Sequence, residues 1–329
     1  MHWRFWLVVF ALSVMCITGC AVPRINLFGD DTEPLREFTL QGEKPGKVLV
    51  VSVKGTITET PKERLYSTRP SVVQEIVSQL RLAETDSDIK AVVLKIDSPG
   101  GTTTASDILY HELIEFQKKT GVKLVAALMG MATSGGYYIA LPADYILAHP
   151  TTVTGSVGAI FFRPRVTGLM EKIGVSVSVN KSGKNKDIGS PFRKSTEEEN
   201  GILQAVIDFQ GRRFLDLVKQ HRPVDEQVLS QVATARVYMA DEARAIGLID
   251  QVGYLADAIG KAKTLAGLDQ QARVVVYRRT EYPDDNLYNT LMSQREGAGQ
   301  PLVRLGPLES LTEWPAGFYY LWAPAAGMD

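Results

Sequence analysis

The chain has 329 residues, 45% of them hydrophobic, which is enough apolar surface for one large core or two small ones. Lys plus Arg number 36 against 37 Asp plus Glu, so nothing in the net charge draws the protein to nucleic acid or to an acidic surface. Both cysteines, Cys16 and Cys20, fall at the N-terminus, which excludes a disulfide framework or a cysteine zinc site in the main body.

After "MHWRF", the apolar run "WLVVFALSVMCITGC" ends in small residues, the construction of a secretory signal, and it is too short to span a bilayer comfortably. Its ending resembles the bacterial lipobox, in which a cysteine after small residues receives a lipid. Residues 1–19 are therefore predicted to be a lipoprotein-type signal peptide and Cys20 the lipid-bearing first mature residue; a plain uncleaved anchor is the alternative. Either reading places the protein at a cell membrane, on the periplasmic or extracytoplasmic face. Residues 20–46 are rich in Pro, Gly and charge without a sustained period and read as a linker.

A domain is predicted over 47–270. The runs "KVLVVSVKG", "IKAVVLKIDSPGG", "KLVAALMG", "DYILAHP" and "VSVSVN" are β-branched or apolar stretches with strand character. Between them, "PSVVQEIVSQLRLAE" and "TASDILYHELIEFQKKTG" carry apolar residues at helical spacing, the second closed by Gly121. This alternation implies an α/β fold, a mostly parallel sheet with flanking helices, and function at the loops that follow the strands. Residues 271–329 are read as a last strand, "ARVVVYRRTEYPDD", and a Gly- and Pro-rich C-terminal tail. That tail ends in "LTEWPAGFYYLWAPAAGMD", too aromatic for pure disorder. Its own domain, a neighbouring subunit and a membrane surface are all open as its resting place.

Two loops carry candidate chemistry. In "MATSGGYYIA", Ser134 lies between a hydrophobic strand and two glycines that open a short helix, where unpaired N–H groups favour a developing negative charge. Gly135 would supply one oxyanion donor, and Gly100 or Gly101 of "DSPGG", lacking side chains, would bring a second N–H close. Each motif alone also reads as a helix cap or a tight turn. Together, at successive strand ends, they point to acyl transfer by a serine nucleophile.

A base is harder to find. Outside the signal region the histidines are His111 in mid-helix, His221 at the end of a charged helix, and His149 in "LAHPTTVTG", and none makes a strong Ser-His-Asp case. A lysine held neutral is the other route. Composition does not choose among Lys181, Lys184, Lys186 and Lys194 of "NKSGKNKDIGSPFRK".

The set "KIDSPGG", "ATSGGYYIA", "TGSVGAIF", "KSGKNKDIGSPFR" and "ARVYMADEARAIGLID" resembles the bacterial signal peptide peptidase A family, relatives of Clp protease with the crotonase-like fold, over roughly Lys47 to Gly267. The resemblance implies a membrane-associated serine endopeptidase in which Ser134 is the nucleophile, Lys186 the general base and Ser156 the residue that orients the lysine. It implies an oxyanion hole at Gly101 and Gly135, no cofactor, no metal, and substrates that are cleaved signal peptides or other extended hydrophobic peptides. One set of motifs and no internal repeat corresponds to the short form, for which the family implies a homo-oligomeric ring with the serine of one subunit meeting the lysine of the next. Apolar pockets are expected from "MGMA", Tyr137, Tyr138 and "AIFF". Other classes of function remain open on sequence alone: a crotonase-like acyl-CoA enzyme, and a non-catalytic ring-forming membrane scaffold.

Overall fold

The computed structural model describes residues 33–64, 67–291, 317–322 and 324; the predicted signal peptide and Cys20 lie outside the described residues. Strands are β1 (Arg36–Gln41), β2 (Lys44–Lys54), β3 (Lys62–Arg64), β4 (Ser67–Arg69), β5 (Ile89–Ser98), β6 (Gly100–Thr102) and β7 (Lys123–Thr133). They continue as β8 (Tyr145–Ala148), β9 (Val153–Gly155), β10 (Ile160–Phe162), β11 (Val237–Met239), β12 (Gln251–Val252), β13 (Ala272–Arg278) and β14 (Gly317–Leu321). Helices among the described residues are α1 (Val72–Thr85), α2 (Thr103–Thr120), α3 (Gly135–Tyr138), α4 (Thr167–Ile173), α5 (Glu197–His221), α6 (Glu226–Val232), α7 (Ala240–Ala245) and α8 (Leu255–Leu265).

The central sheet runs β1-β13-β2-β5-β7-β8-β12, with β9 branching from β7 and β11 from β9. All contacts from β13 to β12 along this path are parallel, and the edge strand β1 is antiparallel to β13. Because successive side chains in a strand point to opposite faces, each inner strand feeds two cores. Leu49, Val51 and Val53 of β2, Val92, Leu94 and Ile96 of β5, and Leu124, Ala126 and Leu128 of β7 pack with Ile76 and Leu80 of α1 and Leu109 and Leu113 of α2. The intervening residues, Val48, Val50, Ala91, Val93, Val125 and Ala127, face α8 through Leu255, Ala258, Ile259 and Ala262.

Local chemistry sets the helix ends. Ser71 Oγ accepts from Gln74 N–H at 3.1 Å while Gln74 Oε1 accepts from Ser71 N–H at 2.8 Å, a reciprocal cap that starts α1. Thr102, the last residue of β6, caps α2 by accepting from Ala105 N–H at 3.1 Å. Gly121 ends that helix in the left-handed region at φ 69°, as the sequence predicts.

Two expectations change, and one open choice is decided. The predicted linker, 20–46, contains β1 and the start of β2, so the sheet recruits chain well before Lys47. The "VSVSVN" stretch is no strand: Val175, Val177 and Val179 are all exposed, with no regular structure. The aromatic C-terminal stretch packs on its own domain as β14. No helix among the described residues is long and apolar enough to cross a membrane.

Leu94 is wholly buried between β2, β7 and the α1–α2 face, so Leu94→Ala is expected to cost about 2–5 kcal/mol in urea unfolding. The exposed Lys90→Ala on the same strand should stay within about 0.5 kcal/mol.

Candidate active site

β5 and β7 are neighbours in the sheet, and the turns at their carboxyl ends meet. After Ser98, the chain turns through Pro99 into β6. Ser98 Oγ accepts from Gly100 N–H at 3.1 Å, which closes the turn. Gly100 takes φ 108°, and a Cβ there would lie 2.0 Å from the Tyr320 carbonyl oxygen. A Cβ on Gly101 would lie 1.8 Å from the Ile57 carbonyl oxygen. Both positions therefore require glycine: the chain past β2 runs alongside on one edge of β6, with Ile57 N–H donating to Gly100 O at 2.8 Å, and β14 lies on the other.

At the end of β7, Ser134 stands at φ 52° and ψ −117°, a conformation that costs a non-glycine residue about 1–3 kcal/mol. It is held there from both sides: its N–H donates to Gly155 O at 2.7 Å, and its carbonyl accepts from Tyr138 N–H at 2.9 Å. The side chain is 1% exposed, and Oγ is buried without a hydrogen-bond partner. Gly135, the next residue, opens α3, whose first N–H groups have no intrahelical acceptor. A Cβ on Gly135 would lie 2.4 Å from Ser106 Oγ and 3.1 Å from Gly101 N, so the N–H groups of Gly101 and Gly135 are near neighbours beside Ser134.

Ser156 comes to the same place through β9, which pairs in parallel with Met131–Thr133 and sets Gly155 against Thr133. It too has positive φ, 52°, and its N–H donates to Arg236 O at 2.9 Å. Ser134, Ser156, Gly101 and Gly135, four residues singled out in the sequence, thus converge.

Lys186 is not bonded to this group. It is exposed, and Ser134 Oγ has no hydrogen-bond partner among the described residues. The loop that carries it is nonetheless anchored. Arg193 reaches Asp187 through Nε at 2.8 Å and Nη2 at 2.7 Å, and Glu199 through Nη1 at 2.9 Å. Lys181 adds an ion pair to Asp187 at 2.6 Å, while Lys184 pairs with Glu198. Arg193, then Lys181, hold the Asp187 carboxyl well below the usual carboxylate range. Arg193 and the Thr196 N–H bring Glu199 down to about 2. Glu199 also completes the reciprocal cap that begins α5, so the lysine loop is tied to a helix start.

The histidines are engaged elsewhere. His149 Nδ1 is 2.8 Å from Thr151 Oγ1 and its ring packs edge-on against Tyr254. His221 Nε2 is 2.8 Å from the Tyr110 hydroxyl, and burial, with Arg222 nearby, lowers its pKa. Of the expected pocket residues, Tyr137 is core: it is wholly buried with its hydroxyl on the Leu248 carbonyl at 2.6 Å. Tyr138, also wholly buried, stacks on Tyr320 of β14, and the Ile160–Phe162 strand pairs with β14. Sequence reasoning missed this neighbour, which reads there only as an aromatic cluster.

A buried serine on strained backbone, beside paired glycine N–H groups at the carboxyl ends of a parallel sheet, is the equipment of a serine hydrolase. The profile of Peptidase family S49 matches residues 116–269, and that of Clp protease matches residues 66–152. A protein of Enterococcus faecium that bears the name signal peptide peptidase SppA is 34% identical over 253 residues, which cover 77% of this chain and 73% of that one. Protease 4 of Haemophilus influenzae is 33% identical over 79% of this chain, which spans 42% of that longer protein. Among solved structures, the 1510-N membrane-bound stomatin-specific protease in complex with a substrate peptide aligns with a TM-score of 0.40 at 19% identity, over 66% of this chain and 80% of that one. The chain belongs to peptidase family S49 and is a serine peptidase with a Clp protease-like α/β fold. That sets aside an acyl-CoA enzyme.

Gly101→Ala is expected to abolish peptidase activity, because its Cβ collides with the Ile57 carbonyl. Gly121→Ala, which meets nothing within 4 Å, should keep full activity at a cost of about 1 kcal/mol in thermal unfolding for its positive φ. Arg193→Ala should speed proteolytic nicking within residues 181–195 and lower turnover several-fold without global unfolding. Glu199 has a folded pKa of about 2 against roughly 4.3 unfolded, so its contribution is present above the unfolded value and lost as pH falls toward about 2. Wild-type nicking rates should therefore stay flat from neutral pH down to about 4.3.

Proposed function

We propose that the chain is an endopeptidase with a Ser-Lys dyad, Ser134 as nucleophile and Lys186 as general base. The observation that carries this is Ser134 itself: a buried hydroxyl with no partner, on strained backbone, beside the N–H groups of Gly101 and Gly135. Neutral Lys186 takes the Ser134 proton, Oγ adds to a peptide carbonyl, and Gly101 and Gly135 N–H groups receive the oxyanion. The lysinium returns the proton to the leaving amine, and an activated water then releases the acyl group from Ser134. Ser156, next to Ser134, accepts a hydrogen bond from the lysine amine and aims it.

The base comes from a second copy of the chain in a homo-oligomeric ring. Two features support this. Ser134 Oγ is unpartnered within its own chain while Lys186 is exposed on an anchored loop. The surface around that loop carries apolar side chains among its charges, with Val175, Val177, Val179 and Phe192 exposed, as are Ile202, Val206 and Phe209 on one face of α5. A neighbouring subunit would cover this surface and deliver the lysine into a drier site, which favours its neutral form.

The functional unit is the 47–270 peptidase domain enlarged by β1 and β13, held at a cell membrane, on the extracytoplasmic side, by lipid on Cys20 after the signal segment is removed. Its substrates are cleaved signal peptides or other extended hydrophobic peptides. The E. faecium relative's name and the extended strand β14 seated between β6 and β10, beside the Ser134 turn, support that class.

Ser134→Ala and Lys186→Ala are each expected to abolish hydrolysis with the fold intact, and Lys186→Arg to fail as well, since arginine does not become a neutral base. Lys184→Ala should be mild. Co-assembling Ser134→Ala with Lys186→Ala should recover activity, because some interfaces then pair an intact serine with an intact lysine. Wild-type turnover by Ser134→Ala would end the serine mechanism; no recovery in mixed oligomers would put the base in the same chain.

A further inference from the structure

β14 lies between β6 and β10 and pairs antiparallel with both. Its register sets Tyr320 against Gly101 and Tyr319 against Ile160. Trp322 N–H donates to Pro99 O at 3.0 Å. In an antiparallel ladder hydrogen-bonded pairs recur at every second residue, so Tyr320 and Gly101 form the next such pair and the Tyr320 carbonyl accepts from Gly101 N–H. The point where a Gly100 Cβ would sit lies 2.0 Å from Tyr320 O and 2.8 Å from Gly135 N. A backbone carbonyl thus stands at the Gly101 N–H and near the Gly135 N–H, the two groups assigned to the oxyanion, and the hydroxyl of the adjoining Ser134 has no hydrogen-bond partner.

The side chain of Tyr320 is as well placed as its carbonyl. Its ring stacks on Tyr138 with centroids 5.0 Å apart and lies 5.1 Å from Phe214, and its hydroxyl donates to the Gln210 carbonyl at 2.9 Å. Burial pushes its pKa up to about 12, so the phenol remains a donor. Phe318 points the same way along the strand and packs on Phe161 at 4.7 Å. The ladder alone accounts for the carbonyl; the buried phenol, stacked on Tyr138 and bonded to the Gln210 carbonyl, is what a strand that only closed a sheet edge would not need.

We propose that β14 is an internal substrate mimic. It occupies the groove where this peptidase binds an extended peptide between β6 and β10, with Tyr320 in the pocket for the residue before the cleaved bond. This rests on the Ser134 reading and deepens it by naming the preferred substrate: a peptide with an aromatic residue at that position, tyrosine ahead of phenylalanine because only the phenol reaches the Gln210 carbonyl. A tethered strand acts at a local concentration on the millimolar scale, so a substrate must displace it and the free enzyme is held down.

Phe161 and Phe318 are directly opposed and lie outside the hydrogen-bonded pairs, where Cα atoms stand about 4.5 Å apart, within disulfide reach. In the full chain with Cys16→Ser and Cys20→Ser, the Phe161→Cys/Phe318→Cys pair should cross-link on oxidation. The oxidised form should hydrolyse a tyrosyl peptide at least about tenfold more slowly than the same protein reduced. A cross-linked chain as fast as the reduced one would overturn the mimic while leaving the serine mechanism in place. A wild-type chain with no activity on the same peptide would instead count against the Ser134 reading, and the groove is then read from the peptide-binding measurement alone. A fluorescent peptide of residues 316–322 should bind folded Tyr320→Ala at least about tenfold more tightly than wild type. Equal binding to the two would overturn the proposal.

Discussion

The backbone at Ser134 is the constraint on which the site depends. Two hydrogen bonds, to Gly155 O and from Tyr138 N–H, hold a non-glycine residue at φ 52° between a strand and a helix. The conformation costs about 1–3 kcal/mol and persists because the surroundings over-determine it. β7 is paired on both edges and packed on both faces, and Tyr137 and Tyr138 are buried behind the turn, so the chain cannot relax without opening the core. The strain turns the serine away from the strand and presents Oγ next to the β5 turn.

From that point, the arrangement follows from close approach. Glycines at 100, 101, 135 and 136 let two loops and two neighbouring backbones touch, and each added Cβ would meet a fixed atom within 3 Å. The N–H groups that result belong to backbone fixed by the sheet, so they need no reorganisation when charge develops. The proposed base stands apart. Lys186 sits on an exposed loop, anchored by Arg193 but separate from the serine, with exposed apolar side chains around it. On the proposed reading, chemistry is split between a rigid half and a half that depends on assembly.

The inner strands, α1, α2 and the two glycine turns were legible because their patterns are local: β-branched runs with turn residues, helical spacing with caps, and glycine where chains must touch. Edges were not. In "REFTLQ", two charged residues precede an apolar-polar alternation of only four, because β1 has one partner and a wet edge, so it reads as linker. "VSVSVN" errs the other way: alternation specifies a half-buried surface but not whose surface, and among the described residues Val175, Val177 and Val179 are about half exposed. β14 has five residues and partners far away in sequence, which no local pattern reports. For the same reason spacing could not choose among the lysines; only a family likeness singled out Lys186.

The most direct measurement is peptide mapping by mass spectrometry after treatment with a phosphonylating serine reagent. Ser134 combines an unpartnered hydroxyl with adjacent N–H donors that would hold the phosphonyl oxygen, so a single adduct on the peptide containing Ser134 is the expected result. An adduct on Ser156 or another serine, or none on a chain that still hydrolyses peptides, would contradict the placement of the nucleophile.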